Sequence, residues 1–153
     1  MRKYLLASAG VILADQLIKF ISLTKIPAEG IFAVSKQYLH ILFQISFNQN
    51  LAFGVQLPSF IIILLPIITI SALSYWLIRN KLNSNRENFA LACIIGAAIS
   101  NLSDRFFYGG VVDFLSVSIY NFSWPSFNFA DIIITVSAIY IIIKSLFKYE
   151  KTA

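Results

Sequence analysis

The fold of this chain is decided by residues 60–78, which read FIIILLPIITISALSYWLI and contain no charged residue. A membrane-spanning helix needs about 20 predominantly apolar residues, so this stretch is long enough to cross a bilayer. Pro66 lies inside the stretch, and a membrane helix tolerates proline as a kink. Residues 60–78 therefore predict an integral membrane protein.

Three further apolar stretches predict a bundle of four transmembrane helices. They cover residues 4–23, 89–107 and 130–147, and each is close to the length of a membrane span. The chain is 58% hydrophobic and 12% charged, and a soluble domain has about 25% charged residues. One membrane-embedded domain over residues 1–153 is expected, with the first stretch retained as a helix and not cleaved as a signal peptide.

Lysine and arginine residues predict the orientation of the bundle. They concentrate at both ends of the chain and after the second stretch, whereas residues 108–128 contain none. Since cytoplasmic loops are enriched in these residues, both termini are expected in the cytoplasm. This bias also explains the net charge of +5 without a nucleic-acid partner. Asp113 is then expected outside, with Asp104 and Asp131 near the outer membrane face.

Two segments outside the helices have the pattern of strands. Residues 43–48 alternate apolar and polar side chains, which is typical of a half-buried strand. Residues 111–119 are rich in β-branched side chains and follow the turn-forming pair Gly109-Gly110. The predicted fold class is an all-α membrane protein, with four transmembrane helices and a small extracytoplasmic β-sheet.

All four aspartates lie within or at the rim of apolar stretches, where an ionised carboxylate is costly. Asp113 and Asp131 are the candidate catalytic pair, because both are expected at one membrane face and turn-forming residues separate them. Two adjacent carboxyls share a proton, so one can activate water while the other protonates a carbonyl oxygen. Alternatively, Asp131 only caps its helix and Asp113 lies in water.

The remaining polar residues of these stretches admit structural interpretations. Asp15 and Lys19 are four residues apart, which favours a buried ion pair over a proton relay. Asn101 and Asp104 share one broad face of the third helix. Arg105 either reaches the lipid headgroups or binds a phosphate or a substrate carbonyl. The segment around Asn48 and Asn50 either forms a turn or binds an extended peptide.

Other catalytic chemistries are less favoured by the sequence. One cysteine and one histidine cannot build a structural zinc site, and no Gly-x-Ser-x-Gly motif is present. A Ser/Lys pair of Lys19 with Ser100 or Ser103 is compatible with the spacing. A small transporter or assembly subunit with a carboxylate proton relay, and a lipid-binding scaffold, are the non-peptidase alternatives. Because three of the four aspartates are expected at one face, a peptidase is favoured.

Five short motifs, taken in order, resemble the signal peptidase II family over nearly the whole chain. Three positions depart from the family pattern, since Asn50, Ala97 and Ser100 stand where the family has glycine. Asn50 tolerates left-handed backbone better than most residues. The small residues Ala97 and Ser100 still permit close helix packing, so activity is expected to survive. The motifs are DQLIK (15–19), NQNLAFG (48–54), GAAISNLSDR (96–105), VVDF (111–114) and FNFAD (127–131).

The resemblance implies an intramembrane aspartic endopeptidase of the bacterial cytoplasmic (inner) membrane, with its active site at the extracytoplasmic face. Its substrates would be prolipoproteins that carry a diacylglyceryl group on the lipobox cysteine. Asp113 and Asp131 would be the catalytic pair, acting without metal or cofactor. Membrane lipids are the other expected partners, and the chain is expected to act as a monomer. The resemblance also implies a set of substrate-binding and supporting residues: Asn48, Asn101, Arg105, Asn128, Asp15 and Asp104.

Overall fold

The structure is a computed structural model that describes residues 1–50, 55, 57–79 and 85–149. Four helices in these residues are each long and apolar enough to cross a membrane. They confirm the four predicted spans, with ends within a few residues of the predicted bounds. Residues 51–54 of the second motif lie outside the described part. The helices are α1 (Arg2–Lys25), α2 (Ser59–Arg79), α3 (Asn85–Tyr108) and α4 (Phe129–Tyr149).

Helix α3 is the central helix of the bundle. Half of its spanning window is buried inside the protein, compared with 17% for α1 and less for α2 and α4. Small residues on α3 allow this packing: a Cβ atom at Gly96 would lie 2.5 Å from the carbonyl oxygen of Ser8. The Ser8 hydroxyl also donates a hydrogen bond to the Ala92 carbonyl at 2.7 Å. The α1 and α3 backbones are therefore in close contact, as small residues permit in membrane helices.

An antiparallel sheet of four strands, in the order β1-β2-β3-β4, lies at the ends of the helices. Strand β3 begins three residues after α3 ends, and a positive φ of 72° at Gly109 makes the turn possible. Pairing of Ser46 with Asp113 and of Asn48 with Val111 joins β2 to β3. The strands are β1 (Ile31–Lys36), β2 (Leu39–Asn48), β3 (Val111–Ile119) and β4 (Phe122–Ser123).

Both predicted strand segments are confirmed, since residues 43–48 belong to β2 and residues 111–119 form β3. The sequence did not predict β1 or β4. Five of the six residues of β1 are exposed, so the strand lacks the alternating pattern that burial of one face imposes. Strand β4 contains two residues, too few for any periodic signal.

Candidate active site

Helix α4 begins with a reciprocal pair of hydrogen bonds between Asn128 and Asp131. The side-chain oxygen of Asn128 accepts the N–H of Asp131 at 3.0 Å, and Oδ2 of Asp131 accepts the N–H of Asn128 at 3.2 Å. This is a capping box, with asparagine at the N-cap and an acid three residues later. The other oxygen of Asp131, Oδ1, accepts a bond from Asn101 Nδ2 at 2.9 Å. Asp131 therefore caps its helix, as the alternative interpretation held, and also faces α3.

Asp113 lies in β3 and is 2% exposed. Backbone hydrogen bonds between Leu115 and Phe127, at 2.9 and 3.0 Å, fold the chain back and bring the start of α4 beside β3. As a result, Nδ2 of Asn128 donates to Oδ1 of Asp113 at 2.7 Å. The same amide group donates to Oδ1 of Asn101 at 3.2 Å. Asn128 and Asn101 thus connect the two predicted catalytic carboxyls through hydrogen bonds.

Asp113 and Asp131 line one cavity of about 390 Å³. Its walls come from α2, α3, α4 and the sheet, and they combine the polar group with apolar residues. Among the described residues, no group of three or more His, Cys, Asp or Glu side chains is placed to hold a metal ion. The polar lining comprises Asn48, Asn101, Arg105, Asp113, Ser126, Asp131 and Thr135, and the apolar lining includes Pro66, Leu102, Phe127 and Ile134.

The environment of Asp113 disfavours its ionised form. Burial and then the nearby charge of Asp131 raise the pKa of Asp113 to about 7, against the opposing hydrogen bonds from Asn128 and Asn48. This carboxyl is therefore largely protonated below neutral pH. A protonated carboxyl beside a second carboxyl can supply the acid and the base for hydrolysis of an amide.

Asp15 and Asp104 do not line the cavity but form ion pairs behind it. The ammonium of Lys19 lies 2.7 Å from Asp15 Oδ2 and 2.6 Å from Asp104 Oδ2, and all three side chains are buried. Lys19 also donates to Oδ1 of Asn101 at 2.8 Å. The predicted buried ion pair between Asp15 and Lys19 is confirmed, and Asp104 joins it as a second partner.

Each of these supporting aspartates also binds the backbone next to a candidate catalytic residue. Oδ1 of Asp15 accepts the N–H of Ala130 at 2.8 Å, one residue before Asp131. Oδ2 of Asp104 accepts the N–H of Val112 at 3.2 Å, one residue before Asp113. Lys19 therefore connects, through its two carboxylate partners, the backbone segments that carry both cavity carboxyls. Local sequence contains no signal for these backbone contacts.

Gln16 and Ser100 complete the buried network. From the sequence, Gln16 had no assigned site role, and Ser100 was only a possible partner of Lys19 in a Ser/Lys pair. Nε2 of Gln16 donates to Asp104 Oδ1 at 2.7 Å and to the Ser100 hydroxyl at 3.0 Å. The Ser100 hydroxyl donates to Asp15 Oδ2 at 2.7 Å. Their positions in the first and third motifs were the available signal.

The geometry does not favour the Ser/Lys alternative. Lys19 Nζ contacts three side chains, those of Asp15, Asp104 and Asn101. The Ser100 hydroxyl donates to Asp15. The Ser103 hydroxyl donates to the carbonyl of Ile99 in its own helix, at 2.9 Å. Neither hydroxyl is therefore paired with Lys19 as a Ser/Lys dyad requires.

Arg105 binds protein backbone at the edge of the cavity. Its Nη2 donates to the carbonyl oxygen of Asn50 at 3.0 Å. The N–H of Asn50 in turn donates to Oδ1 of Asn48 at 3.0 Å, which is the predicted asparagine turn. Because Arg105 and Asn48 both line the cavity, the turn is held at its edge.

The whole chain superposes on a bacterial membrane enzyme solved by the in meso method at 2.3 Å resolution. The TM-score is 0.83, with 28% identity over 100% of this chain and 93% of that chain. Fold and cavity thus define a multi-pass membrane enzyme of the bacterial type. The sequence model of signal peptidase (SPase) II matches residues 7–147. The chain therefore belongs to the signal peptidase II family.

Individual relatives agree with this assignment. The lipoprotein signal peptidase of Francisella tularensis subsp. novicida (strain U112) is 31% identical over 157 residues, 98% of this chain and 95% of that protein. The lipoprotein signal peptidase of Chlamydia felis (strain Fe/C-56) is 34% identical over 104 residues, 67% of this chain and 63% of that protein. The predicted family is confirmed, and with it a membrane-embedded protease of the bacterial inner membrane. The transporter interpretation is not favoured.

Proposed function

We propose that this chain removes signal peptides from prolipoproteins, and that Asp113 and Asp131 are its catalytic pair. One observation carries the assignment of the pair. Both carboxyls line the same cavity and are connected through the amide groups of Asn128 and Asn101. Family membership supports the reaction.

The two carboxyls divide the chemistry by sharing one proton. Asp113, with its pKa near 7, holds the proton and donates it to the carbonyl oxygen of the scissile amide. Asp131 accepts a proton from water, which attacks the carbonyl carbon and gives a neutral tetrahedral intermediate. When this intermediate collapses, Asp131 returns its proton to the leaving nitrogen as the C–N bond breaks, and Asp113 takes a proton from a hydroxyl of the intermediate. The products are a carboxylic acid and an amine, and the pair again holds one proton on Asp113.

The proposed substrate carries a diacylglyceryl group on the cysteine that follows the scissile bond. The cavity has apolar walls that include Leu102 and Ile134 beside its polar group. Acyl chains can therefore remain in hydrocarbon while the peptide reaches the carboxyls. The absence of lysine and arginine from residues 108–128 supports an extracytoplasmic site with both termini in the cytoplasm. A single chain, forming one domain over residues 1–153, is sufficient, because the described residues of one copy supply the whole polar group.

Cleavage of a diacylglyceryl-modified prolipoprotein in lipid micelles tests this proposal. Wild type is compared with Asp113→Asn and Asp131→Asn, each checked for folding by thermal unfolding. General acid–base catalysis contributes on the order of 10²–10⁴-fold, so each variant should lose at least that much activity. The control Glu29→Gln removes an exposed carboxylate outside the cavity and should keep full activity.

Two outcomes would contradict the proposal. Activity that survives both aspartate substitutions would show that another group performs the chemistry. Equal cleavage of the same precursor with an unmodified cysteine would show that the lipid is not recognised.

A further inference from the structure

A second groove lies between α1, α3 and α4, away from the two catalytic candidates. Its volume is about 660 Å³. Phe89 in its wall precedes Arg105 of the active-site cavity by roughly 24 Å along α3, at about 1.5 Å per residue. Tyr140 lies two and a half turns after Asp131, so it faces the opposite side of α4. The groove is therefore separate from the substrate cavity.

Three basic side chains surround this groove, and each comes from a different helix. Lys3 belongs to α1, Arg86 to α3 and Lys144 to α4, and all three are exposed. None of the residues that line the groove is acidic. The Tyr4 hydroxyl donates to Asn85 Oδ1 at 3.0 Å, which holds the start of α1 against the start of α3. The positive charges are thus held around one depression, where an anion would be attracted.

Most of the other residues that line the groove are apolar. Phe89 is 50% exposed and Val136 is 60% exposed, and both belong to membrane-spanning segments, so they are open to hydrocarbon. Ala90 and Cys93 are buried residues that also line the groove. A ligand that matches both parts has an anionic head and a hydrocarbon tail.

We propose that this groove binds one anionic phospholipid, with its phosphate between the three basic side chains and an acyl chain along Phe89 and Val136. Basic pockets between transmembrane helices bind acidic lipid headgroups in this way. A lipid occupant fits better than a second copy of the chain, because a symmetric copy would place three more positive charges against the first three.

Native mass spectrometry of the full chain in neutral detergent tests the site. The probes are phosphatidylglycerol and phosphatidylcholine with identical acyl chains. Wild type should retain one phosphatidylglycerol and discriminate against phosphatidylcholine. The triple variant Lys3→Gln, Arg86→Gln, Lys144→Gln should bind phosphatidylglycerol on the order of a hundredfold more weakly.

The matched control removes the same charge elsewhere. The triple variant Arg2→Gln, Lys25→Gln, Lys36→Gln changes exposed residues that do not line the groove, so binding should be retained. Thermal unfolding of both triple variants confirms that they fold. Loss of binding in the control to the same extent would overturn the proposal, because it would reduce the effect to total charge.

The variant Phe89→Ala separates a lipid site from a site for free anions. It removes apolar contact only, so it should weaken phosphatidylglycerol binding. The ability of inorganic phosphate to compete for the three basic side chains should not change. Three results would overturn the proposal. They are equal binding of the two lipids, full binding after Phe89→Ala, and a shift from dimer to monomer in the groove variant, which would identify a second copy as the occupant.

Discussion

Opposing effects set the pKa of Asp113: its surroundings disfavour the charged form, and neighbouring amide groups favour it. Burial and the charge of Asp131 raise its pKa, whereas Asn128 and Asn48 lower it, and the result is a pKa of about 7. The titration belongs to the carboxyl pair, because the two groups interact. At the residue scale, the protonation of Asp113 is therefore the quantity that should control catalysis.

The pH dependence of cleavage follows from this value. As the pH rises through about 7, the pair loses its shared proton, so kcat/KM should fall about tenfold for each further pH unit. A pH profile of kcat/KM with the lipid-modified precursor in micelles measures this fall. The control Glu29→Gln should show the same fall over the same pH range. A rate that stays constant up to pH 9 would exclude Asp113 as the group that holds the proton.

The same pKa also affects stability. Folding raises the pKa of Asp113 to about 7. The protonated carboxyl therefore contributes fully to the free energy of unfolding below about pH 4, and this contribution is lost as the pH rises through about 7. The thermal unfolding temperature of wild type should therefore fall over this range relative to that of Asp113→Asn. Parallel curves for the two proteins would contradict the shift.

Ser100 gives a further prediction at this scale, because its hydroxyl is a donor to the buried carboxylate of Asp15. Ser100→Ala should lower the free energy of unfolding by about 1–3 kcal/mol, the cost of removing a donor from a buried acceptor. Ser103→Ala is the matched control, since that hydroxyl donates to the carbonyl of Ile99 in its own helix. Equal effects of the two substitutions would show that the Ser100 bond is unimportant.

At the scale of elements, the contact of α1 with α3 depends on one glycine. A Cβ atom at Gly96 would lie 2.5 Å from the Ser8 carbonyl oxygen, whereas one at Gly10 would have nothing within 4 Å. Gly96→Ala should therefore destabilise the protein by about 1–3 kcal/mol through overpacking. Gly10→Ala should be neutral or stabilise by up to about 1 kcal/mol. Thermal unfolding in micelles compares them, and a neutral Gly96→Ala would contradict the close contact.

Helix α1 also supplies the cation that pairs with two buried carboxylates. Lys19→Met should cost about 3–5 kcal/mol, because it leaves the charges of Asp15 and Asp104 uncompensated in the interior. Adding Asp15→Asn and Asp104→Asn should recover part of that loss. The measurement is again thermal unfolding, with exposed Lys25→Met as control. Equal stability of Lys19→Met and wild type would show that the two ion pairs do not stabilise the fold.

At the scale of the whole molecule, the sequence predicted the helices because hydrophobic length is a local property. It also predicted Asp113 and Asp131 as the catalytic pair, because both were expected at one membrane face and both belong to motifs that resemble the signal peptidase II family. The structure places both carboxyls at one cavity, and their catalytic role stays a prediction. The network around Lys19 was only partly predictable. The pair with Asp15 follows from helix spacing, but the bonds to the backbone of Val112 and Ala130 depend on how α1 packs against distant segments. Strand β1 was missed because neither of its faces is buried.

One further property of α1 concerns the order in which the protein is made. Helix α1 contributes nothing to the lining of the catalytic cavity, yet Asp15 binds the backbone of Ala130, 115 residues later in the chain. A ribosome delivers α1 to the membrane before α4. The Asp131 carboxyl therefore reaches its partner only after α4 has been made. A nascent chain without α4 has no paired carboxyls, so under the proposed mechanism it cannot cleave a substrate until that helix inserts.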